Sequence, residues 1–195
     1  MVSLQIVKEY KRKFFHMFCL IYVALYVLLP RTTCFQVMGA LGLLIVLLEW
    51  ARLRNAVFNA WVWDRFGGLA REWEKNGVSG LFWTWLGSFL TMVIFPPRDV
   101  VLAALGFMIF GDAAAALVGK LWGRHPWPGR PGKTMEGSAA FAIAAAAAGM
   151  VFLPPLPVIL SALIVAPIES LRLPVDDNLW IPIVSGLCLS LTLMI

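Results

Sequence analysis

The chain is dominated by apolar runs of about the length needed to cross a bilayer, separated by short charged or proline-bearing connections. Such runs occupy roughly residues 14–30, 35–53, 81–95, 99–121, 135–153, 158–171 and 179–195. A spanning helix needs about 20 apolar residues, so seven spans would use most of the 195 residues. Hydrophobic residues make up 61% and charged residues only 14%, against about 25% charged in ordinary soluble domains. The expected fold is therefore all-α: a polytopic membrane helix bundle of about seven transmembrane helices, forming one integral-membrane catalytic domain over residues 1–195. The more polar stretch 55–80 carries Trp61, Trp63 and Trp73 among its charges. It reads as a short interfacial helical segment, because tryptophan concentrates where bilayer meets water. A basic start before an apolar run also describes a secretory signal, but no small-residue cleavage site follows, so the first run reads as a retained span.

Charge supplies the orientation. With seven spans, all but Arg31 and Arg98 of the 16 Lys and Arg residues fall on the side of the N-terminus. The positive-inside rule makes that side cytoplasmic. The location expected is a multi-pass integral-membrane one, in the plasma (inner) membrane if the source is prokaryotic, with the N-terminus and the candidate catalytic loops in the cytoplasm. The net charge of +5 then reports topology, and a nucleic-acid partner is not expected. Cys19, Cys34 and Cys188 lie in or beside apolar runs without metal-ligand spacing and read as packing residues.

The most informative block is GDAAAALVGKLWGRHPWPGRPGKTMEG, residues 111–137. Gly111, Ala115, Gly119 and Gly123 recur at every fourth position, a small-residue stripe that lets another helix come close. Asp112 lies within an apolar run, where a carboxylate is costly and commonly functional. It reads as a magnesium ligand, with a structural ion pair as the alternative. Gly132-Lys133-Thr134 resembles the tail of a phosphate-binding P-loop, but the motif's first glycine would fall at Trp127, and a helix precedes it where a strand is required. The expectation is looser: Gly129 and Gly132 permit close backbone approach, Arg124, Arg130 and Lys133 supply charge, and Thr134 caps the fifth span. The first N–H groups of that span would then face a phosphate. A charged cytoplasmic loop without further function is the alternative.

Other charged groups are less specific. Glu136 sits in a first helical turn, where the dipole favours an acid, and is also a candidate metal ligand or general base. Asp176-Asp177-Asn178 reads as a solvated turn or, with Asp112 and Glu169, as part of a divalent-cation cluster. Arg12, Lys13 and His16 begin the first span; Arg12 and His16 share a face, and His16 is a candidate base or phosphate ligand. Glu49 has Arg52 three residues on and reads as a local ion pair. Arg71, Glu72, Glu74 and Lys75 read as a solvated amphipathic face.

Taken together, Gly111-Asp112, Gly119-Lys120, Gly123-Arg124, Gly132-Lys133-Thr134 and Glu136-Gly137 resemble the signature of the CTP-dependent lipid-alcohol kinases: dolichol and polyprenol kinases, phytol kinases and CTP-dependent diacylglycerol kinases. The resemblance extends to Arg12-Lys13 with His16, to Glu49, to Arg71 through Glu74, and to Glu169 followed by Asp176-Asp177-Asn178. It implies transfer of a phosphoryl group from CTP to the hydroxyl of a membrane lipid, with Mg²⁺, at the cytoplasmic face. It also implies kinship with phosphatidate cytidylyltransferases, which attach CMP to a lipid phosphate.

On this reading Lys120 and Lys133 hold the triphosphate, helped by Arg124, Gly132, Thr134, Arg12, Lys13, His16 and Arg71. Asp112, Asp176 and Asp177 carry the metal, and Glu136 or Glu169 activates the hydroxyl. Glu49, Glu74 and Asn178 remain further candidates. The partners implied are CTP and a lipid alcohol, and a homodimer is one option for assembly. A proton or cation transporter built on Asp112, Glu49 and Glu169 is the rival from another class.

Overall fold

A computed structural model describes residues 2–130, 132–171 and 173–195. Helices are the regular structure of the described residues, whose only β-type pairing is an isolated bridge between Pro126 and Thr134. The chain divides into two compact units, residues 1–89 and 90–195.

In the first unit, helices α1 (Val2–His16) and α2 (Leu20–Leu28) are joined by a 3-10 turn, Met17–Cys19, and Pro30 stands just before α3 (Arg31–Arg54). Helix α3 is long and apolar enough to cross a membrane, yet only 22% of its apolar window is buried. Leu43, Leu44, Leu47 and Leu48 point outward, as suits a hydrocarbon solvent and not water. Asn55 ends α3 and caps α4 (Ala56–Phe66) by accepting a hydrogen bond from the Phe58 N–H at 3.0 Å. Two 3-10 turns, Gly67–Leu69 and Glu72–Lys75, lead to α5 (Gly80–Ile94), which crosses the boundary between the units.

Helices α3 and α5 meet at Gly42, where the buried Trp85 indole lies flat against the backbone and donates from Nε1 to the Met38 carbonyl at 2.9 Å. A Cβ at Gly42 would sit 1.8 Å from the indole ring. Gly42→Val is therefore expected to cost about 1–3 kcal/mol through overpacking, seen as a lower thermal midpoint in detergent; an unchanged midpoint would mean that α3 and α5 do not meet there.

The second unit is built around one helical rod, Arg98–Trp122, the other segment long and apolar enough to span, with 78% of its apolar window buried. It consists of α6 (Arg98–Gly106), a wider π turn (Phe107–Gly111) and α7 (Asp112–Trp122). Against it pack α8 (Met135–Gly149) and α10 (Asp177–Thr192), and α9 (Pro155–Glu169) packs on both of these. The expected close approach along the small-residue stripe is present. Gly111 faces the Phe141 ring, while Ala115 and Gly119 lie against Gly137 of α8.

The expectation of seven spans meets a length difference. Among the described residues two helices satisfy the length and composition needed to cross; Gly80–Ile94, Met135–Gly149 and Pro155–Glu169 are apolar but shorter. Fifteen residues extend only about 22 Å, against a hydrocarbon core of about 30 Å. Proline and short turns end these helices early, as at Pro96-Pro97 and Pro154. The three cysteines are free thiols, two of them buried, in keeping with packing roles.

Candidate functional site

The connection between α7 and α8 is an ordered hairpin. Trp127 N–H donates to the Lys133 carbonyl at 3.0 Å and Met135 N–H to the His125 carbonyl at 2.9 Å. At its tip, Arg130 N–H bonds the Trp127 carbonyl at 3.0 Å and Lys133 N–H bonds the Arg130 carbonyl at 3.2 Å. Gly129 (φ 67°) and Gly132 (φ 91°) take the left-handed positions that these turns demand. The Trp127 indole donates to Ser138 Oγ at 2.9 Å and ties the hairpin to α8.

Trp127, Arg130 and Lys133 spend their N–H groups on this hairpin, in keeping with a loop that is not a P-loop. Thr134 caps α8 as expected, accepting from Gly137 N–H at 3.1 Å. With Met135 N–H bound to His125, that leaves few first-turn donors for an anion. The two glycines serve the turn geometry.

What the hairpin presents is the Lys133 ammonium. It donates to Glu169 Oε1 at the end of α9, to the Glu169 carbonyl at 3.2 Å, and to Asp177 Oδ2 at the start of α10 at 3.2 Å. Glu169 is almost wholly buried, whereas the Lys133 and Asp177 side chains are 32% and 22% exposed. Burial alone would lower the Lys133 pKa; the charges of Glu169 and Asp177, the hydrogen bond to Glu169 and the more distant charge of Asp112 outweigh it, and the pKa is raised. The lysine therefore stays cationic. Asp112, buried where the π turn gives way to α7, acts electrostatically on both Lys133 and Glu169. Three carboxylates thus gather around one ammonium, from positions 21, 36 and 44 residues away in sequence.

The remaining expected site residues divide. Lys120 and Arg124 are exposed and adjoin Gly119 and Gly123, which pack on Thr134. Glu136 is held in the loop: its carboxylate accepts from His125 N–H at 3.2 Å and meets His125 Nδ1 at 2.5 Å. His125 and Trp127 escaped the sequence reading because their partners, Glu136 and Ser138, lie across the hairpin. Asp176 is buried and accepts from Asn178 N–H at 3.0 Å, capping α10. Asn178 Oδ1 is buried without a hydrogen-bond partner.

Among the described residues no three His, Cys, Asp or Glu side chains are arranged to hold a metal ion. The expected set Asp112, Asp176 and Asp177 is thus not a preformed ligand shell: Asp176 serves as a cap and Asp177 faces Lys133.

Arg12, Lys13, His16, Glu49, Arg71 and Glu74 belong to the first unit. Arg12 pairs with Glu9 at 2.5 Å and Lys13 is buried. Arg52 grips Glu49 with two bonds, at 3.1 and 2.7 Å, as its spacing suggested. It also donates to Asn59 Oδ1 at 3.2 Å and to the carbonyls of Glu74 at 3.1 Å and Gly77 at 2.6 Å. Glu49 further accepts from Ser79 N–H at 3.0 Å. Glu74 is not on a solvated face: it is buried and accepts from the N–H groups of Arg71 and Gly80 at 3.0 and 2.9 Å. These bonds close the 71–80 turn, a local capping role that the sequence reading of a solvated face overlooked.

No protein-family model and no solved structure matches the chain. Among curated proteins, it is 31% identical over 140 residues to the "Uncharacterized protein RP860" of Rickettsia prowazekii (strain Madrid E), an alignment covering 70% of this chain and 67% of the relative.

Proposed function

The chain belongs to the family of the Rickettsia prowazekii protein RP860, and we propose that it is a multi-pass membrane kinase that moves the γ-phosphoryl group of CTP to the hydroxyl of a lipid alcohol at the cytoplasmic face. Polyprenol or dolichol, a phytol-like isoprenoid and diacylglycerol are the acceptor classes. The observation that carries this reading is the convergence on Lys133. A cation from the glycine-rich hairpin meets acids from two other helix ends, at the boundary between apolar helices and charged loops.

In the proposed membrane arrangement the shorter helices complete their crossings with flanking apolar residues, such as Val151, Phe152 and Leu153 after α8. Phosphoryl transfer requires positioning and charge neutralisation more than covalent chemistry by the protein. Lys133, leaving its carboxylates, binds the β- and γ-phosphates; Lys120 and Arg124, at the end of α7, neutralise the rest of the triphosphate. The nucleotide would bring its own divalent cation as MgCTP, which would supply further charge neutralisation of the phosphates. Asp112, whose charge acts on the lysine from farther off than Glu169 and Asp177, would help to orient that complex.

The test is the fate of label. Purified protein, incubated with a panel of lipid alcohols, is expected to transfer ³²P from γ-labelled CTP into the lipid and none from α-labelled CTP. Transfer from the α position into a lipid phosphate would mean CMP transfer. Ion flux without nucleotide consumption would mean a transporter.

A further inference from the structure

Glu169 ends an apolar helix whose outer face, Leu160, Leu163 and Ile164, is exposed, and its own carboxylate is almost fully buried. It therefore lies where a hydrocarbon environment gives way to charge, the depth at which the hydroxyl of a long-chain alcohol would present itself. Its direct cationic partner is Lys133. The cluster already holds more acid than base, since Asp177 shares the same ammonium and Asp112 is nearby. An arriving polyphosphate must draw Lys133 toward itself, because the phosphates offer more negative charge and partial solvation. A buried carboxylate that loses its cation is poorly stabilised as an anion and gains affinity for a proton.

Resting on the kinase reading above, we infer that Glu169 is the general base of the reaction and that nucleotide binding activates it by removing Lys133. The lipid O–H proton passes to a Glu169 carboxylate oxygen while the lipid oxygen forms its bond to the γ-phosphorus. The bond from that phosphorus to the β–γ bridging oxygen breaks, its electron pair leaving with CDP. Glu169 returns the proton to water as Lys133 closes back. The structure also argues against Glu136 as the base, because His125 holds its carboxylate from both backbone and ring.

The experiment compares wild type, Glu169→Gln and Glu169→Asp in the same detergent preparation. Glu169→Gln is expected to reduce transfer from γ-labelled CTP at least about 10²-fold, the usual contribution of a general base, and to lose the acid limb of the kcat–pH profile. CTP binding, read by thermal shift, should be as tight as in wild type or tighter, since Lys133 no longer has a competing carboxylate. Glu169→Asp should recover part of the rate and keep a displaced acid limb. Undiminished turnover or an unchanged acid limb in Glu169→Gln would overturn the base assignment while leaving the kinase reading intact. Loss of CTP binding with the acid limb retained in Glu169→Asp would make Glu169 a structural partner of Lys133 instead. Absence of γ-transfer in wild type would remove both.

Discussion

Lys133→Met is expected to lower lipid phosphorylation on the order of 10³-fold, the scale on which a cation neutralising a transferring phosphoryl group contributes. The lysine is the one side chain that the hairpin delivers to acids of both α9 and α10. Lys133→Arg keeps the charge but presents a planar fork where a compact ammonium sits, so it should recover only a fraction of the rate. Removing the cation also strands Glu169, so some loss of stability should accompany the loss of activity. That loss should fall short of the roughly 3–5 kcal/mol seen when a fully buried pair is broken, because the lysine side chain is 32% exposed. The raised Lys133 pKa means that the lysine's contribution is fully present below its ordinary value and is lost as pH rises through the higher folded value, while at the acid end the pair lasts only as long as its carboxylates stay ionised. Assays near neutrality therefore leave it intact. The check is initial rate with γ-labelled CTP beside the thermal midpoint; a variant within tenfold of wild-type activity would remove Lys133 from phosphate binding.

The second large effect concerns stability in the first unit. Arg52→Met should cost about 3–5 kcal/mol, because Arg52 and Glu49 side chains are only 8% and 14% exposed and the variant leaves a carboxylate and at least two carbonyls without their donor. For a unit of this size 1 kcal/mol corresponds to about 4–8 °C, so tryptophan fluorescence in detergent should show the midpoint falling by more than about 10 °C. Arg52→Lys should recover little, since one ammonium cannot reach Glu49, Asn59 and the 74–77 carbonyls together. The double variant Arg52→Met/Glu49→Met should be less damaged than Arg52→Met, as expected when the cost comes from a buried charge left alone. A fall of only a few degrees in Arg52→Met would show that this network carries little of the unit's stability.

The comparison of sequence with structure turns on the range of each interaction. Thr134 as a helix cap, the Glu49–Arg52 pair and the small-residue stripe from Gly111 to Gly123 were legible because each depends on neighbours within one or two turns, which helix periodicity reveals. Gly129 and Gly132 were read as allowing close backbone approach, and they take the left-handed positions of turns; both uses need the same residue type. The π turn before Asp112 left no mark that periodicity could show.

By itself, the sequence determined that this chain is helical, too apolar for an ordinary soluble domain, and concentrated in its charges between apolar segments. Apolar periodicity, caps and breakers are properties of adjacent residues, and they survive whatever the helices later pack against. Tertiary structure alone decided that Lys133 would meet Glu169 and Asp177, that Glu136 would be held by His125, and that Arg52 would bind carbonyls more than 20 residues away. A charged side chain at a helix end has many acceptable partners of opposite sign. Which one it takes depends on the lateral packing of helices, and that is settled by contacts between residues far apart in the chain.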